Sequence, residues 1–169
     1  MNVFFHAITA IGVTALLSDS KRLEKSKSSK PFVLTAIFMF FVGIIMHGVL
    51  DFVPHCYSIN SKLDVFISLA MILILIWLAK KEYRIIVALS FLGSIFPDLV
   101  DLSFPILNKQ LGLSLPIYDK IFPWHWSSYS GSIYCGDCGV STLNHVLLVC
   151  TISVICWCKR IDLEVIFWK

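Results

Sequence analysis

Histidine and aspartate are the residues of this sequence whose types and spacing could do chemistry. The densest run is His47-Gly-Val-Leu-Asp51-Phe-Val-Pro-His55, and a second run is Pro97-Asp98-Leu-Val-Asp101. Imidazole nitrogens and carboxylate oxygens are ligands that suit zinc, manganese or iron(II). Ionisable side chains within apolar, membrane-type sequence are costly, so each one is by default a candidate functional residue.

The spacing of these residues predicts that they face common partners. Residues three or four apart share a helix face, which pairs His47 with Asp51 and Asp98 with Asp101. Pro54 removes a backbone donor, so we expect His55 on a turn just past a helix end. Pro97 is expected at the first position of a new helical turn.

These residues define a predicted site for one or two divalent metal ions, with zinc favoured over manganese or iron. Asp51 and Asp98 are the predicted catalytic carboxylates, and the core of the site is expected to be His47, Asp51, Asp98 and His145. Two ions a few ångströms apart would use most of the ligands and suit phosphate esters. The full set of candidate metal ligands is His6, His47, Asp51, His55, Asp98, Asp101, His125 and His145.

The elements that must position these residues are predicted to be membrane helices. The chain has 169 residues, of which 57% are hydrophobic and 15% charged, and its mean hydropathy is +0.82. This composition predicts an all-α integral membrane bundle, folded as a single domain over residues 1–169. The first span is short and contains His6, so it is expected to be tilted or partly covered by neighbouring helices. The five predicted spans are about 2–17, 31–53, 63–79, 84–101 and 142–158.

Basic residues predict the orientation of the bundle, because they accumulate on the cytoplasmic side. Three predicted loops on one side carry most of them, which places the N-terminus outside and the C-terminus inside. All five histidines then lie toward the outer face, which is the periplasm or exterior for a bacterial-type cytoplasmic membrane. No basic stripe with interleaved aromatics indicates nucleic-acid binding. The basic residues on the predicted inner side are Lys21, Arg22, Lys25, Lys27, Lys30, Lys80, Lys81, Arg84, Lys159, Arg160 and Lys169.

Two connecting segments are predicted outside the helices. Residues 18–30 should form a solvated cytoplasmic loop, with contact to anionic lipid headgroups as a second interpretation. Residues 102–141 should form a long non-helical outer loop, whose aromatic run 122–126 suits the membrane interface. Within that loop, Cys135-Gly-Asp-Cys138 is interpreted as a disulfide staple or a minor metal contact.

These motifs resemble a loosely related group of membrane-bound metal-dependent hydrolases and the zinc-dependent phospholipase C-like helical proteins. The likeness covers most of the chain as a helical framework. The sequence has neither the Pro-Asp-x-Asp-His run nor the His-Arg-Gly-x-Thr-His-Ser run of the membrane hydrolases intact. Asp101 comes one residue late for the first run, and residues 124–127 match the second only in part. The residues that carry the likeness are His6, His47-x3-Asp51-x3-His55, Phe96-Pro97-Asp98-x2-Asp101 and Asn144-His145.

The resemblance implies hydrolysis of a phosphoester by metal-activated water, with a membrane lipid or lipid-linked substrate expected from the depth of the site. Two non-enzymatic alternatives remain open. One is a metal-ion or proton transporter, which would need polar groups through the full depth of the bilayer. Segments 69–79 and 149–157 contain no carboxylate or imidazole, which disfavours transport. The other is a scaffold subunit with a vestigial metal site.

Overall fold

Helices provide all the regular structure that is described. The computed structural model describes residues 1–19, 30–134, 136 and 138–168. These ranges contain seven α-helices and two short 3-10 turns, without a strand, which confirms the predicted all-α class. The predicted loop 18–30 lies mostly outside the described residues. The elements are α1 (Val3–Leu17), α2 (Lys30–Phe52), α3 (Ser61–Leu78), α4 (Arg84–Asp101), α5 (Ser103–Leu111), the turns Pro123–His125 and Gly131–Tyr134, α6 (Cys138–Cys158) and α7 (Arg160–Phe167).

Three of the described helices, α2, α3 and α6, are long and apolar enough to cross a membrane. Helices α4 and α5 pass the same test together, although a bend of 65° separates them. Helix α1 has 15 residues, fewer than the roughly 20 that cross a bilayer. Three of the five predicted spans therefore meet the criteria as single helices, and 84–101 meets them only together with α5.

Helix α1 lies in the middle of the bundle, in contact with α2, α3, α4, α6 and α7. Its alanines Ala7, Ala10 and Ala15 are almost completely buried, and their small side chains let the surrounding helices approach. The expectation that neighbouring helices cover this segment is confirmed. The length of α1 is thus compatible with a central position rather than a lipid-facing one.

The start of α1 is fixed by Asp64 of α3. The carboxylate of Asp64 accepts hydrogen bonds from the backbone N–H groups of Val3 (2.9 Å) and Phe4 (3.0 Å). Negative charge at a helix N-terminus satisfies unpaired donors and complements the helix dipole. Because His6 follows within one turn, this cap also fixes where His6 stands.

Large apolar side chains cover the outside of the bundle. On a soluble protein, exposed apolar surface of this extent marks an interaction site, and on a membrane protein it is the face that lipid solvates. The side chains of this outer surface include Leu34, Phe38, Phe41 and Ile45 of α2, Phe66, Leu73 and Trp77 of α3, and Leu143, Val154 and Trp157 of α6.

The prediction of a non-helical loop over residues 102–141 is wrong at both ends. Helix α5 forms directly after α4, and α6 begins at Cys138. Gly112 ends α5 in the left-handed conformation (φ 64°), which is a common helix stop signal. The side chain of Asn108 then binds the backbone N–H and carbonyl of Leu115, both at 2.8 Å, and turns the chain back.

Pro97 does not open a new helical turn, because it lies inside α4. A proline at this position removes the hydrogen bond to the carbonyl four residues earlier. Pro97 is buried, and neighbouring elements that pack around a proline allow a membrane helix to tolerate it. The helix therefore continues through Asp98 to Asp101.

Two glycines allow α2 and α4 to pack closely. A Cβ atom at Gly93 would lie 2.1 Å from the carbonyl oxygen of Phe40, and one at Gly43 would lie 2.8 Å from the backbone of Gly93. These neighbours are backbone atoms, so they cannot give way as the end of a side chain could. Small residues at such crossings are the usual means of close helix packing in membranes.

We predict that Gly93→Ala lowers the free energy of unfolding by about 1–3 kcal/mol, because the new methyl group overpacks the α2–α4 contact. Denaturant unfolding in detergent micelles measures this loss. Gly136→Ala is the matched control, since a Cβ there meets no atom within 4 Å. Equal stability of the two variants would contradict the prediction.

Candidate metal centre

The ends of two helices and one loop turn bring four of the predicted residues together. Helix α2 provides His47 and Asp51, which stand one turn apart with Nε2 of His47 3.2 Å from Oδ2 of Asp51. Helix α4 provides Asp98, and the 3-10 turn provides His125. The predicted pairing of His47 with Asp51 on one helix face is confirmed.

One ligand atom from each of these four residues lies within 4.8 Å of the other three. Nε2 of His125 is 3.3 Å from Nε2 of His47, 3.4 Å from Oδ2 of Asp51 and 3.3 Å from Oδ1 of Asp98. Nε2 of His47 is 3.6 Å from the same oxygen of Asp98. We call this set, His47, Asp51, Asp98 and His125, the primary cluster.

The primary cluster is closed on most sides. His47, Asp51 and His125 are buried, whereas the side chain of Asp98 keeps 18% of its surface exposed. Asp98 is therefore the member of the cluster that solvent reaches most readily. A site with buried ligands and one open edge can admit a water molecule or part of a substrate.

Hydrogen bonds outside the cluster orient both imidazoles. Nδ1–H of His47 donates to the carbonyl of Ser94 at 2.7 Å, and Nδ1–H of His125 donates to Oδ2 of Asp101 at 2.8 Å. A neutral imidazole that donates through Nδ1 presents a lone pair at Nε2. Both Nε2 atoms thus face the cluster as ligand atoms, in the arrangement typical of metal-binding histidines.

Asp101 acts on the cluster through His125 and not as one of its ligand atoms. Its two oxygens also accept the backbone N–H groups of Ile121 and Phe122, each at 2.9 Å. The same carboxylate therefore orients the imidazole and anchors the segment that leads to it. Asp98 and Asp101 have His125 as a common partner, as their spacing predicts, but each contacts a different nitrogen of its ring.

The loop holds His125 against α2 through further contacts. Nζ of Lys120 donates to the carbonyl of His125 at 2.7 Å, and Nε1–H of Trp126 donates to the carbonyl of Lys120 at 2.9 Å. The ring of Trp124 packs on Gly48, where a Cβ atom would come within 2.7 Å of it. A glycine one residue after His47 thus makes room for the tryptophan beside His125.

The chemistry of the primary cluster requires a positive charge. When both imidazoles are neutral, its four converging atoms are all acceptors, and buried acceptors without a donor or cation are strongly unfavourable. Burial by itself lowers the pKa of His125, but hydrogen bonds with Asp51, Asp98 and Asp101 outweigh it and raise this pKa to about 9. A proton on His125 therefore supplies the charge that a metal ion would supply in its place.

The nitrogen and oxygen atoms of the primary cluster suit a metal ion of intermediate hardness. Two imidazole nitrogens and two carboxylate oxygens suit zinc, manganese or iron(II), and no cysteine belongs to the primary cluster. This group of described residues could hold a metal ion, as the sequence predicts. The membership differs from the expected core in one respect, because His125 takes the place expected for His145.

The three other predicted histidines lie outside the primary cluster. His6 stacks on His47 with a centroid distance of 3.9 Å, and its Nε2 is 3.2 Å from Oδ1 of Asp51 without hydrogen-bond alignment. His55 follows the end of α2 as expected, and its Nδ1–H donates to the carbonyl of Val53 at 2.8 Å. The ring of His145 stacks on Phe5 at 4.0 Å. Their role as metal ligands stays a prediction.

The interpretation of Cys135 and Cys138 as a disulfide staple or a minor metal contact stays a prediction. Cys135 lies outside the described residues, and Cys138 is described only as the first residue of α6. Cys56 is buried, and its backbone N–H donates to Oγ of Ser141 at 2.7 Å. Cys150 is an exposed residue of α6.

Two partners of the site were not predicted from the sequence. The carbonyl of Ser94 binds His47, and it stands one helical turn before Asp98, so helix periodicity could have indicated it. The amino group of Met1 forms an ion pair with Oδ1 of Asp51. A backbone amino group carries no side-chain pattern, and periodicity therefore gave no signal for it.

Comparison with known proteins finds no family model, curated protein or solved structure that matches this chain. The residues and their geometry are therefore the basis for any functional conclusion.

We predict that Asp101→Asn weakens metal binding by about 10- to 100-fold, because an amide cannot accept from all the donors that now face this carboxylate. A zinc titration against a competing chelating dye, on purified protein in detergent, measures the change. Asp119→Asn is the matched control, since Asp119 is an exposed aspartate of the same loop. Unchanged affinity in Asp101→Asn would contradict the orienting role.

Proposed function

We propose that this protein is an integral membrane hydrolase that binds zinc in the primary cluster and cleaves a phosphoester through metal-activated water. The observation that supports this proposal is that four acceptor atoms converge in a buried or half-buried position. Hydrogen bonds from Nδ1 to Ser94 and to Asp101 leave Nε2 of neutral His47 and His125 with a lone pair that faces the cluster. Such a set stabilises a cation. It also leaves an open edge, as a catalytic metal site requires.

A divalent ion bound there would lower the pKa of a bound water toward 7 and polarise a phosphoryl oxygen. The residues of the cluster have different roles in this reaction. His47, His125 and Asp51 are the buried groups that hold the ion. Asp98 stands at the open edge, where a carboxylate can accept a proton from the attacking water. Asp51 and Asp98 thus keep the catalytic roles predicted for them, with Asp51 acting through metal binding.

The substrate is proposed to be a membrane lipid or a lipid-linked phosphate. The primary cluster lies at the ends of α2 and α4, close to the headgroup level of a bilayer that α2 would cross. The basic residues of the sequence support an outward position for this end, in a bacterial-type cytoplasmic membrane with the site toward the periplasm or exterior. The partial resemblance to membrane-bound metal-dependent hydrolases supports the same reaction class.

Transport is a weaker interpretation of the same cluster. A pathway for ions or protons needs polar groups on both sides of the site. The part of α3 from Leu69 to Leu78 has no carboxylate or imidazole, and the stretch from Val149 to Trp157 in α6 has none either. The histidines and the aspartates that contact them are concentrated at one end of the helices, as in a site for surface chemistry.

We expect Asp98→Asn to lower kcat for phosphodiester hydrolysis by about 10²- to 10⁴-fold at saturating zinc, since an amide cannot accept a proton from water. The assay uses purified protein in mixed micelles, with bis(p-nitrophenyl) phosphate and with phosphatidylglycerol as substrates. Asp119→Asn again serves as the control and should retain the activity of the parent.

The outcomes separate the functional classes. Zinc-dependent hydrolysis in the parent, lost in Asp98→Asn, supports the enzyme. Stoichiometric zinc without hydrolysis of either substrate would contradict the proposed reaction and favour a scaffold or transport role. A parent that binds no zinc even after reconstitution would overturn the metal centre itself.

A further inference from the structure

The segment after α4 forms a hairpin at the end of the bundle that carries the primary cluster. Helix α5 leaves α4 at an angle of 65°, and Gly112 ends it after 9 residues. The chain then turns back, held by the side chain of Asn108 on Leu115, and returns to the carboxylate of Asp101. We call this segment, residues 103–121, the α5 hairpin.

The angle of α5 places it across the direction of the long helices. Helix α4 packs along α2, which is long enough to cross a bilayer, and membrane helices tilt on average by about 20° from the bilayer normal. A helix that departs from α4 by 65° therefore runs closer to the membrane plane than to the normal. Because α5 begins at Ser103, just after Asp101, it lies near the level of the metal centre.

Helix α5 is amphipathic. Phe104, Leu107 and Leu111 are three and four residues apart, so they share one face, and Lys109 lies on the opposite face. All three apolar side chains are exposed, since no residue of α5 is buried. A helix with an apolar face and a basic polar face is the kind that lies in a membrane interface, with its apolar side about 5–10 Å deep.

The second arm of the α5 hairpin also exposes apolar side chains. These are Leu113, Ile117, Tyr118 and Ile121. Ile117 is 68% exposed, close to the 73% of Phe66 on the apolar outer surface of α3. A group of large apolar side chains left open to this degree marks a surface that another apolar phase covers.

Hydrogen bonds within the hairpin reduce the cost of contact with lipid. The backbone N–H and carbonyl of Leu115 both bond to the side chain of Asn108, and the N–H groups of Ile121 and Phe122 bond to Asp101. Unpaired backbone groups are costly in hydrocarbon, so these pairings suit a segment that meets acyl chains. The headgroup and upper acyl-chain level is the depth that fits a hairpin of this kind.

We propose that the α5 hairpin inserts its apolar side chains into the lipid leaflet on the side of the metal centre, where the upper acyl chains of phospholipids cover them. The exposed apolar side chains continue from Leu99 and Val100 of α4 onto Phe104, so this surface is continuous with the outside of the bundle. That continuity and the angle of α5 favour lipid over a protein partner. The proposal rests on the proposed membrane location and not on the hydrolysis reaction.

The hairpin is joined to the metal centre through Asp101. This carboxylate accepts the backbone N–H of Ile121 at the end of the hairpin and Nδ1–H of His125 in the primary cluster. A hairpin inserted in the leaflet therefore holds the primary cluster at headgroup level. The phosphate of a phospholipid lies at the same level.

The test places the photoreactive residue p-benzoylphenylalanine at single positions of the full-length protein in phosphatidylcholine vesicles. After irradiation, mass spectrometry counts the phospholipid molecules attached to each chain. Leu111 and Ile117 are the test positions, Phe66 is the reference for a membrane helix, and Lys109 is the matched control on the polar face of α5. We expect adduct yields at both test positions within about twofold of the reference, and about fivefold lower at Lys109, because only the apolar face meets lipid.

Tyr118 gives a second readout that needs no substitution. Its side chain is 73% exposed, so in water it would react with hydroxyl radicals nearly as fast as a tyrosine in an unfolded peptide. In the parent protein, reconstituted in the same vesicles, we expect oxidation of Tyr118 to be about tenfold slower than in such a peptide, because lipid covers the hairpin. This readout does not depend on the folding of any variant.

Lipid adducts at Leu111 and Ile117 with slow oxidation of Tyr118 would support the insertion. Adducts at Phe66 alone, cross-links from Leu111 to a second copy of the chain or to another protein, equal yields at Lys109 and Leu111, or rapid oxidation of Tyr118 would overturn it. No adduct at any position would overturn the membrane location and the insertion together. Adducts at the test positions in a protein without zinc-dependent hydrolysis would support the insertion and contradict only the proposed reaction.

Discussion

The carboxylate of Asp51 is buried in an apolar helical bundle, and a buried negative charge is stable only where positive or hydrogen-donating groups surround it. The Met1 ammonium contacts Oδ1 of this carboxylate, and His125, whose pKa is raised by its carboxylate neighbours, lies 3.4 Å from Oδ2. Removing one partner from such a buried set costs about 3–5 kcal/mol. The N-terminus, the end of α2 and the turn that carries His125 are therefore held together by one charge.

The close approach of α2 and α4 makes this arrangement possible. Gly43 and Gly93 let the two backbones touch, and this brings the carbonyl of Ser94 within 2.7 Å of Nδ1 of His47. The hydrogen bond fixes the tautomer of His47, so its Nε2 faces Asp51 and not the helix backbone. A packing feature without polar chemistry thus determines which atom of His47 is a ligand.

Helix periodicity predicted the contacts within one helix, but it did not predict contacts between segments that are distant in the sequence. The all-α class, the pairing of His47 with Asp51 and the end of α2 before Pro54 follow from composition and spacing, and the structure has all of them. The choice of His125 for the primary cluster depends on Trp124 packing against α2 and on Asp101 binding the loop backbone, contacts that join distant parts of the sequence. No periodic pattern encodes such contacts.

The exposure of Asp98 separates a catalytic interpretation of the cluster from a purely structural one. A metal that only staples α2, α4 and the loop together is best served by ligands that are all closed to water, as in structural zinc sites. Here three members of the cluster are closed, and the fourth, Asp98, keeps 18% of its side-chain surface exposed. Full closure would have protected the buried charge of Asp51 better. An exposed carboxylate at the end of two apolar helices is the feature that a structural role does not require.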